Sequence, residues 1–262
     1  MAQKLGRYCA LQVSPDLEIE GLRVRFKVRR NGRSLDAAQL DVWGLDDATY
    51  GQIASPATTI RLICGYNDLR GELLQGQVVP LSLRRDRGES LASWQVQEAA
   101  TALRTARLAA SWPGPVLASE VLAYIAEAIG VSAPRQVLPR DPSYAGGYVA
   151  FGAARDILDT LAGDCGCRWY VQAGRLVLAP VSGSLRVRVS VLEPASGLIG
   201  WPEQVDAGRV RAQVLMEPGL FPGDTYEIGG DTLTGTYVAE IVEHEGDTHG
   251  DAWFTWVTGR PA

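Results

Sequence analysis

Residues 198–258 read LIGWPEQVDAGRVRAQVLMEPGLFPGDTYEIGGDTLTGTYVAEIVEHEGDTHGDAWFTWVT, and the way this stretch divides decides the fold. Val210–Met216, Thr225–Ile228, Thr236–His244 and Asp251–Thr258 are short segments rich in β-branched and aromatic residues between turn residues, and each is expected to be a strand. Leu198–Pro202 is expected to be a link, and Gly229-Gly230-Asp231 a turn. His244 to His249, with Glu245, Gly246, Asp247 and Thr248 between them, is expected to be a polar turn joining the last two strands.

Strand candidates recur away from the C-terminus, here with period-two alternation, which places one set of side chains on a core face and the other in solvent. Leu185–Val191 (LRVRVSV) alternates, and so does Leu22–Arg29 (LRVRFKVR), where Leu22, Val24, Phe26 and Val28 interleave with Arg23, Arg25, Lys27 and Arg29. Asn31-Gly32 then supplies a hairpin-turn pair. Gln39–Gly44, Thr58–Gly65, Leu73–Leu83 and Leu91–Gln97 are further strand candidates. Gly76 marks a bulge or bend, and Arg84–Glu89 a polar connection. Ala99–Ala110 is ambiguous, since its alanine favours helix but its apolar spacing is loose. After Pro113-Gly114-Pro115 the period changes. Leu117, Val121, Tyr124, Ile125, Ala128 and Ile129 recur at helical spacing, and Gly130 is the expected stop. Val131–Gly147 is a loop. Ala154, Ile157, Leu158 and Leu161 share a second helical face ending at Gly163. Arg168–Val171 and Arg175–Leu178 form a hairpin. The expected architecture is mainly β with an α/β insertion, in three parts: a β region over 1–111, two helices and a hairpin over 112–182, and a β region over 183–262.

Composition excludes some functions. The chain has 262 residues, a net charge of −5 and a pI near 5.2. An acidic protein does not neutralise the phosphates of duplex DNA, although DNA can slide past it. No apolar run approaches the ~18 residues of a membrane span, and the N-terminus lacks a signal-peptide core. These features lead us to expect folding in a cytoplasm. Cys9, Cys64, Cys165 and Cys167 are too few and too irregularly spaced for a disulfide framework.

Candidate chemistry is sparse. His244, His249, Asp247 and Asp251 are metal-ligand or acid/base types, but the two histidines are five apart with glycine between, unlike a zinc-binding helix. Cys165-Gly166-Cys167 supplies two ligands, with no second pair at zinc-ribbon spacing; the competing reading is two small residues at a helix-to-strand junction. No Gly-x-Ser-x-Gly elbow or phosphate-binding loop is present. Asp46-Asp47 suits a turn better than a glycosidase pair. No catalytic residue, metal or cofactor is expected. The basic faces Arg23, Arg25, Lys27, Arg29 and Arg186, Arg188 suit a contact with nucleic acid or an acidic partner, and equally a solvated strand face or a protected sheet edge; the acidic chain favours a protein interface over DNA. Trp94, Trp112, Trp169, Trp201, Trp253 and Trp256 sit at strand ends or junctions, where aromatic surplus suits core or subunit contacts.

Taken together, Leu198–Pro202, the Pro218–Gly223 turn, the His244–Asp247 strand end and the aromatic strand Trp253–Val257 resemble the C-terminal part of the baseplate hub proteins of long-tailed bacteriophages, the late-control protein D or tail-hub superfamily. The second helix (DILDTLAGDCG) and the hairpin residues Trp169, Val171, Gly174, Leu176 and Leu178 are similar too. About half the chain carries the resemblance, and the first 110 residues share only its broad pattern. The resemblance implies two hub-type β-barrels per subunit and a homotrimeric ring whose six similar units match a hexameric tail tube. It also implies partners: tail tube, spike, tape-measure and baseplate wedge proteins, with DNA only as passing cargo and no membrane insertion. The location implied is the virion baseplate, assembled in the host cytoplasm. Because the sequence stops at Ala262, the spike is expected to be a separate protein. Two other readings remain: a tail-associated peptidoglycan hydrolase using His244 or Asp247, and a receptor- or glycan-binding module using the tryptophans.

Overall fold

The computed structural model describes residues 4–13, 16–31, 37–55, 58–86, 89–97, 103, 105–132, 138–172, 174–181, 189–206, 208–229 and 233–262. The protein is mainly β, with helices, and divides into two compact units. The first comprises residues 1–32, 36–97 and 186–262, and the second 33–35 and 98–185.

The first unit is built on one hydrogen-bonded sheet. Its strands are β1 (Arg7–Val13), β2 (Leu17–Glu20), β3 (Val24–Arg30), β4 (Ala37–Trp43), β5 (Thr59–Tyr66), β6 (Leu69–Asp86) and β7 (Glu89–Gln97) from the N-terminal half. A short helix, α1 (Asp47–Ile53), follows β4. In the second unit come β8 (Arg107–Trp112), β9 (Val116–Leu117), α2 (Ala118–Ala128), β10 (Ser143–Tyr144), β11 (Tyr148–Ala153), α3 (Ala154–Asp164), β12 (Cys167–Gln172) and β13 (Arg175–Pro180). The chain then returns to the first unit with β14 (Val189–Leu192), β15 (Leu198–Asp206), β16 (Arg209–Leu215), β17 (Thr225–Ile228), β18 (Gly235–Asp247) and β19 (Trp253–Pro261).

The order along the sheet is β15-β16-β19-β18-β3-β4-β7-β6-β5-β1-β2, with β17 on β18 and β14 parallel to β17. The β3–β18 pairing is the join between N-terminal and C-terminal segments. β18 outruns the expected Thr236–His244 because it serves two neighbours. Its first residues pair with β17 and its last, Val242–Asp247, with β3, across an irregularity at Ala239/Ile241. β6 likewise changes partner, leaving β5 for β7 at Gln77, the residue after Gly76. The register of β6 is regular through Gly76, and its irregularities fall instead at Leu62/Ile63 on the β5 side and at Pro80/Ser82 on the β7 side.

Two hydrophobic clusters lie on the inner face. One gathers Val24, Phe26, Val28, Leu40, Val42, Leu62, Trp94 and Val96, and reaches into the C-terminal segment for Met216 and Trp253. The other gathers Val210, Val214, Tyr226, Val242 and Val257. On β18 and β19, His244 and Thr255 separate these clusters. His244 stands between Val242 of the second cluster and Gly246 beside Phe26, and Thr255 between Trp253 and Val257.

The second unit packs α2 and α3 around Val121, Leu122, Ile125, Leu158 and Leu161, together with Val171, Leu176 and Leu178 of the β12–β13 hairpin. The start of α2 is satisfied from a distance: Asp141 accepts hydrogen bonds from Ser119 N (3.0 Å) and Ser119 Oγ (2.7 Å). Gly130 follows α2 at φ 73°, as expected. The stop of α3 falls later than expected: Gly163 is helical, Cys165 is the C-cap, and Gly166 at φ 72° reverses the chain.

Other expectations need correction. Leu198–Pro202 is no link but the start of β15, an edge strand kept irregular by two register shifts. Such interruptions blunt an edge against pairing with a foreign strand. Arg107–Ala110, expected as ambiguous helix, belongs to β8. Tyr148–Ala153 is a strand, paired with β8. Leu185–Arg188 and Gly32 of the expected hairpin turn lie outside the described residues.

Candidate functional site

Of the residues singled out for chemistry, His244 and Asp247 lie at the seam between β3 and β18, and their geometry is that of a clasp. His244 lies inside β18, not in a turn, and is fully buried. Its Nδ1 shares a hydrogen bond of 2.9 Å with Thr255 Oγ1, which also accepts from Glu217 N at 2.9 Å. Burial, and then the nearby Arg30 guanidinium, lower its pKa to about 3. Arg30 is itself buried, donates from Nη2 to the Leu73 carbonyl at 2.5 Å and lies over the Phe221 ring. The inner face thus holds a neutral imidazole beside a cation, sealed from solvent.

That arrangement has a consequence for stability. The folded pKa of His244 lies below the unfolded value of about 6.5, so between about pH 6.5 and 3 the unfolded chain binds the extra proton. Stability from this group is complete above about pH 6.5 and falls as the pH is lowered, by up to about 1.4 kcal/mol per pH unit. Urea unfolding at pH 7 and pH 5 checks this. His244→Asn, which removes the titration, is expected to show a shallower loss than the wild type; equal slopes would assign the acid sensitivity elsewhere.

Asp247 ends β18 and organises the turn. Its Oδ1 accepts from the backbone N–H of His249 and of Gly250, both at 3.0 Å, and its carboxylate accepts from Arg23 Nε (3.2 Å) and Nη2 (2.8 Å). Arg23 first, with the two backbone donors, holds this carboxyl below the usual carboxylate range. Thr248 Oγ1 accepts from Val24 N at 3.0 Å and donates to the Leu22 carbonyl at 3.3 Å. From β1, Arg7 donates to the carbonyls of Asp247 (3.0 Å), Gly250 and Asp251 (3.4 Å), and its guanidinium sits over Trp253. The motif His-x-Gly-Asp thereby ties the last hairpin to β1 and β3. The Asp247 carboxylate is committed to these bonds, and His244 is out of reach of a substrate in solvent.

The basic face of β3 has its partners within the chain. Lys27 pairs with Glu245 (2.5 Å), Arg29 with Glu243 (3.5 Å), Arg25 with Asp41 on β4 (2.7 Å) and Arg23 with Asp247 (2.8 Å). Arg211 adds a contact to Glu243 at 3.6 Å, and Arg209 and Arg260 approach Glu240. Arg23, Arg25, Lys27 and Arg29 thus form a cross-strand ladder on a face that stays open to solvent. Exposed pairs contribute only about 0–1 kcal/mol each. Their stronger effect is on register, because a one-residue slip would bury the charges. Arg186 and Arg188 lie outside the described residues.

The remaining candidates separate. Asp46 is the N-cap of α1, accepting from Thr49 N and Oγ1, both at 2.8 Å, with Asp47 in the first turn. Cys165 and Cys167 are buried at the α3–β12 junction, where burial pushes the Cys165 thiol up to about 11. Among the described residues no group of three or more His, Cys, Asp or Glu is placed to hold a metal ion. No helix among them is long and apolar enough to cross a membrane. Trp94 and Trp253 are core. Trp112 meets Tyr124 edge-on at 5.3 Å, Trp169 donates to Asp159 at 2.7 Å, Trp256 lies under Arg211, and Trp201 on β15 is largely exposed.

Solved structures share the overall fold of the chain. The chain superposes on the tail protein from Neisseria meningitidis MC58 with a TM-score of 0.65, covering 97% of this chain and 96% of that one at 10% identity. The 43 kDa tail protein of prophage MuSo2 from Shewanella oneidensis gives 0.65 over 98% and 97%, at 11% identity. The E. coli c3393 protein, a type VI secretion system component described as structurally similar to the T4 tail proteins gp27 and gp5, gives 0.57 over 96% and 76%, at 11%. No protein-family model and no curated protein matches the sequence. The chain therefore has the fold of these tail and secretion-system proteins from end to end, at identities where likeness extends to fold alone.

Proposed function

We propose that the chain is a structural component of a phage-type tail: a baseplate hub whose homotrimeric ring joins the tail tube to the spike. The observation that carries this reading is the likeness in fold to two tail proteins, one of them from a prophage, over nearly the whole of this chain and of theirs. Two inner-face cores on one sheet suit a subunit offering two barrel-like units to its neighbours, six per trimer. The acidic net charge suits a ring through which DNA travels as cargo without adhering. Tape-measure and wedge proteins complete the set of partners, in a baseplate assembled in the host cytoplasm. A hydrolase using His244 or Asp247 is disfavoured by the burial of the one and the clasp role of the other. For a glycan-binding module, Trp201 alone is a thin platform.

Light scattering of the purified chain, alone and with its tube and spike proteins, tests the proposal. A trimer mass and a stable complex with spike are expected. A monomer that binds neither partner would contradict it.

A further inference from the structure

Two thiols in the N-terminal half have no part in the clasp. Cys9 of β1 and Cys64 of β5 are directly opposed in antiparallel register, and their Sγ atoms lie 3.4 Å apart. Both are free thiols, Cys64 fully buried and Cys9 half-buried. Opposed residues of antiparallel strands have Cα atoms about 4.5–5.5 Å apart, within the ~4.4–6.8 Å that a disulfide spans. Shortening 3.4 Å to a bond of about 2.05 Å asks for side-chain rotation and a slight approach of two strands already hydrogen-bonded together.

We propose that Cys9 and Cys64 form an oxidation site, converted to a cross-strand disulfide by a low-molecular-weight disulfide such as oxidised glutathione. Cys9, the more accessible thiol, loses its proton and attacks one sulfur of the oxidant, releasing one glutathione thiolate and leaving a mixed disulfide. Cys64 then gives up its proton and attacks Cys9 Sγ, releasing the second glutathione thiolate. Two thiols lose two electrons and two protons in all, and the oxidant becomes two thiols. Burial raises the Cys64 thiol pKa well above its usual value, which makes the second step the slow one. The bond would fasten β1, next to the terminal strand β2, to β5 near one end of the sheet. A protein built in a reducing compartment and working outside it would acquire this staple after release.

The test uses the whole chain, incubated with oxidised glutathione, unfolded in a thiol-blocking reagent and digested. Loss of two of the four thiols, with a peptide linking Cys9 to Cys64 and with Cys165 and Cys167 still blocked as thiols, is expected. The oxidised protein should melt roughly 5–10 °C higher, reversibly with dithiothreitol. A chain whose four thiols all remain blockable would overturn the proposal. So would glutathione held stably on Cys9 with Cys64 still reduced.

Discussion

Gly246→Val is expected to destabilise the β-rich unit by at least about 3 kcal/mol, lowering its Tm by roughly 10 °C. A Cβ at Gly246 would stand 2.3 Å from Cζ and 2.5 Å from Cε1 of Phe26, and 3.0 Å from Cε3 of Trp253. Neither ring has room to yield. Phe26 and Trp253 are buried and meet edge to face at 5.7 Å, and each lies directly across from Gly246 on a neighbouring strand. The backbone is ordinary β-strand, so the demand for glycine comes from packing. Thermal melts of Gly246→Val, Phe26→Leu and the double variant separate the cause. If the clash is responsible, the two changes are less than additive in combination, because the smaller side chain opens the space.

Trp253→Ala is expected to cost about 3–5 kcal/mol, the range for emptying a large aromatic site. Trp253 belongs to the N-terminal cluster although it comes from the C-terminal segment, and its indole N–H donates to the Gly65 carbonyl at 3.3 Å. Arg7 covers the ring. Its loss would open the N-terminal core at the point where the last hairpin closes it. Trp256, three residues along β19, points to the outer face and is only half-buried. Trp256→Ala should cost clearly less, about 1–2 kcal/mol, since it removes a half-buried ring and its contact with Arg211 and leaves the inner core intact. Denaturant unfolding of both variants checks the contrast; similar losses would mean that the inner and outer faces of β19 are wrongly assigned.

The strands with one solvated face were legible in the sequence. β3 and much of β16 alternate because one side meets water and the other a core, and that is what period-two reading detects; in β19 burial alternates while large apolar residues stand on both faces. β1 was missed because Cys9, Ala10 and Leu11 interrupt the alternation. β15 was missed because both of its faces are largely exposed and Gly200 and Pro202 argue against a strand. α1 was hidden by its seven residues, although Asp46 and Thr49 carried a capping signal. At the candidate site the basic stripe was visible, and so were the acidic residues near His244. Their union was not, because Arg23 and Asp247 are 224 residues apart in sequence and only the β3–β18 register brings them together. The burial of His244 was hidden for the same reason: a polar residue at an inward position looks like a turn until the strand continues past it to Asp247.

The most direct measurement is electron cryo-microscopy of assembled tail particles containing this chain. The account predicts three copies in a ring on the tail axis, between the last tube ring and the spike. Density for the chain in a peripheral fibre, or particles that are complete without it, would contradict the account.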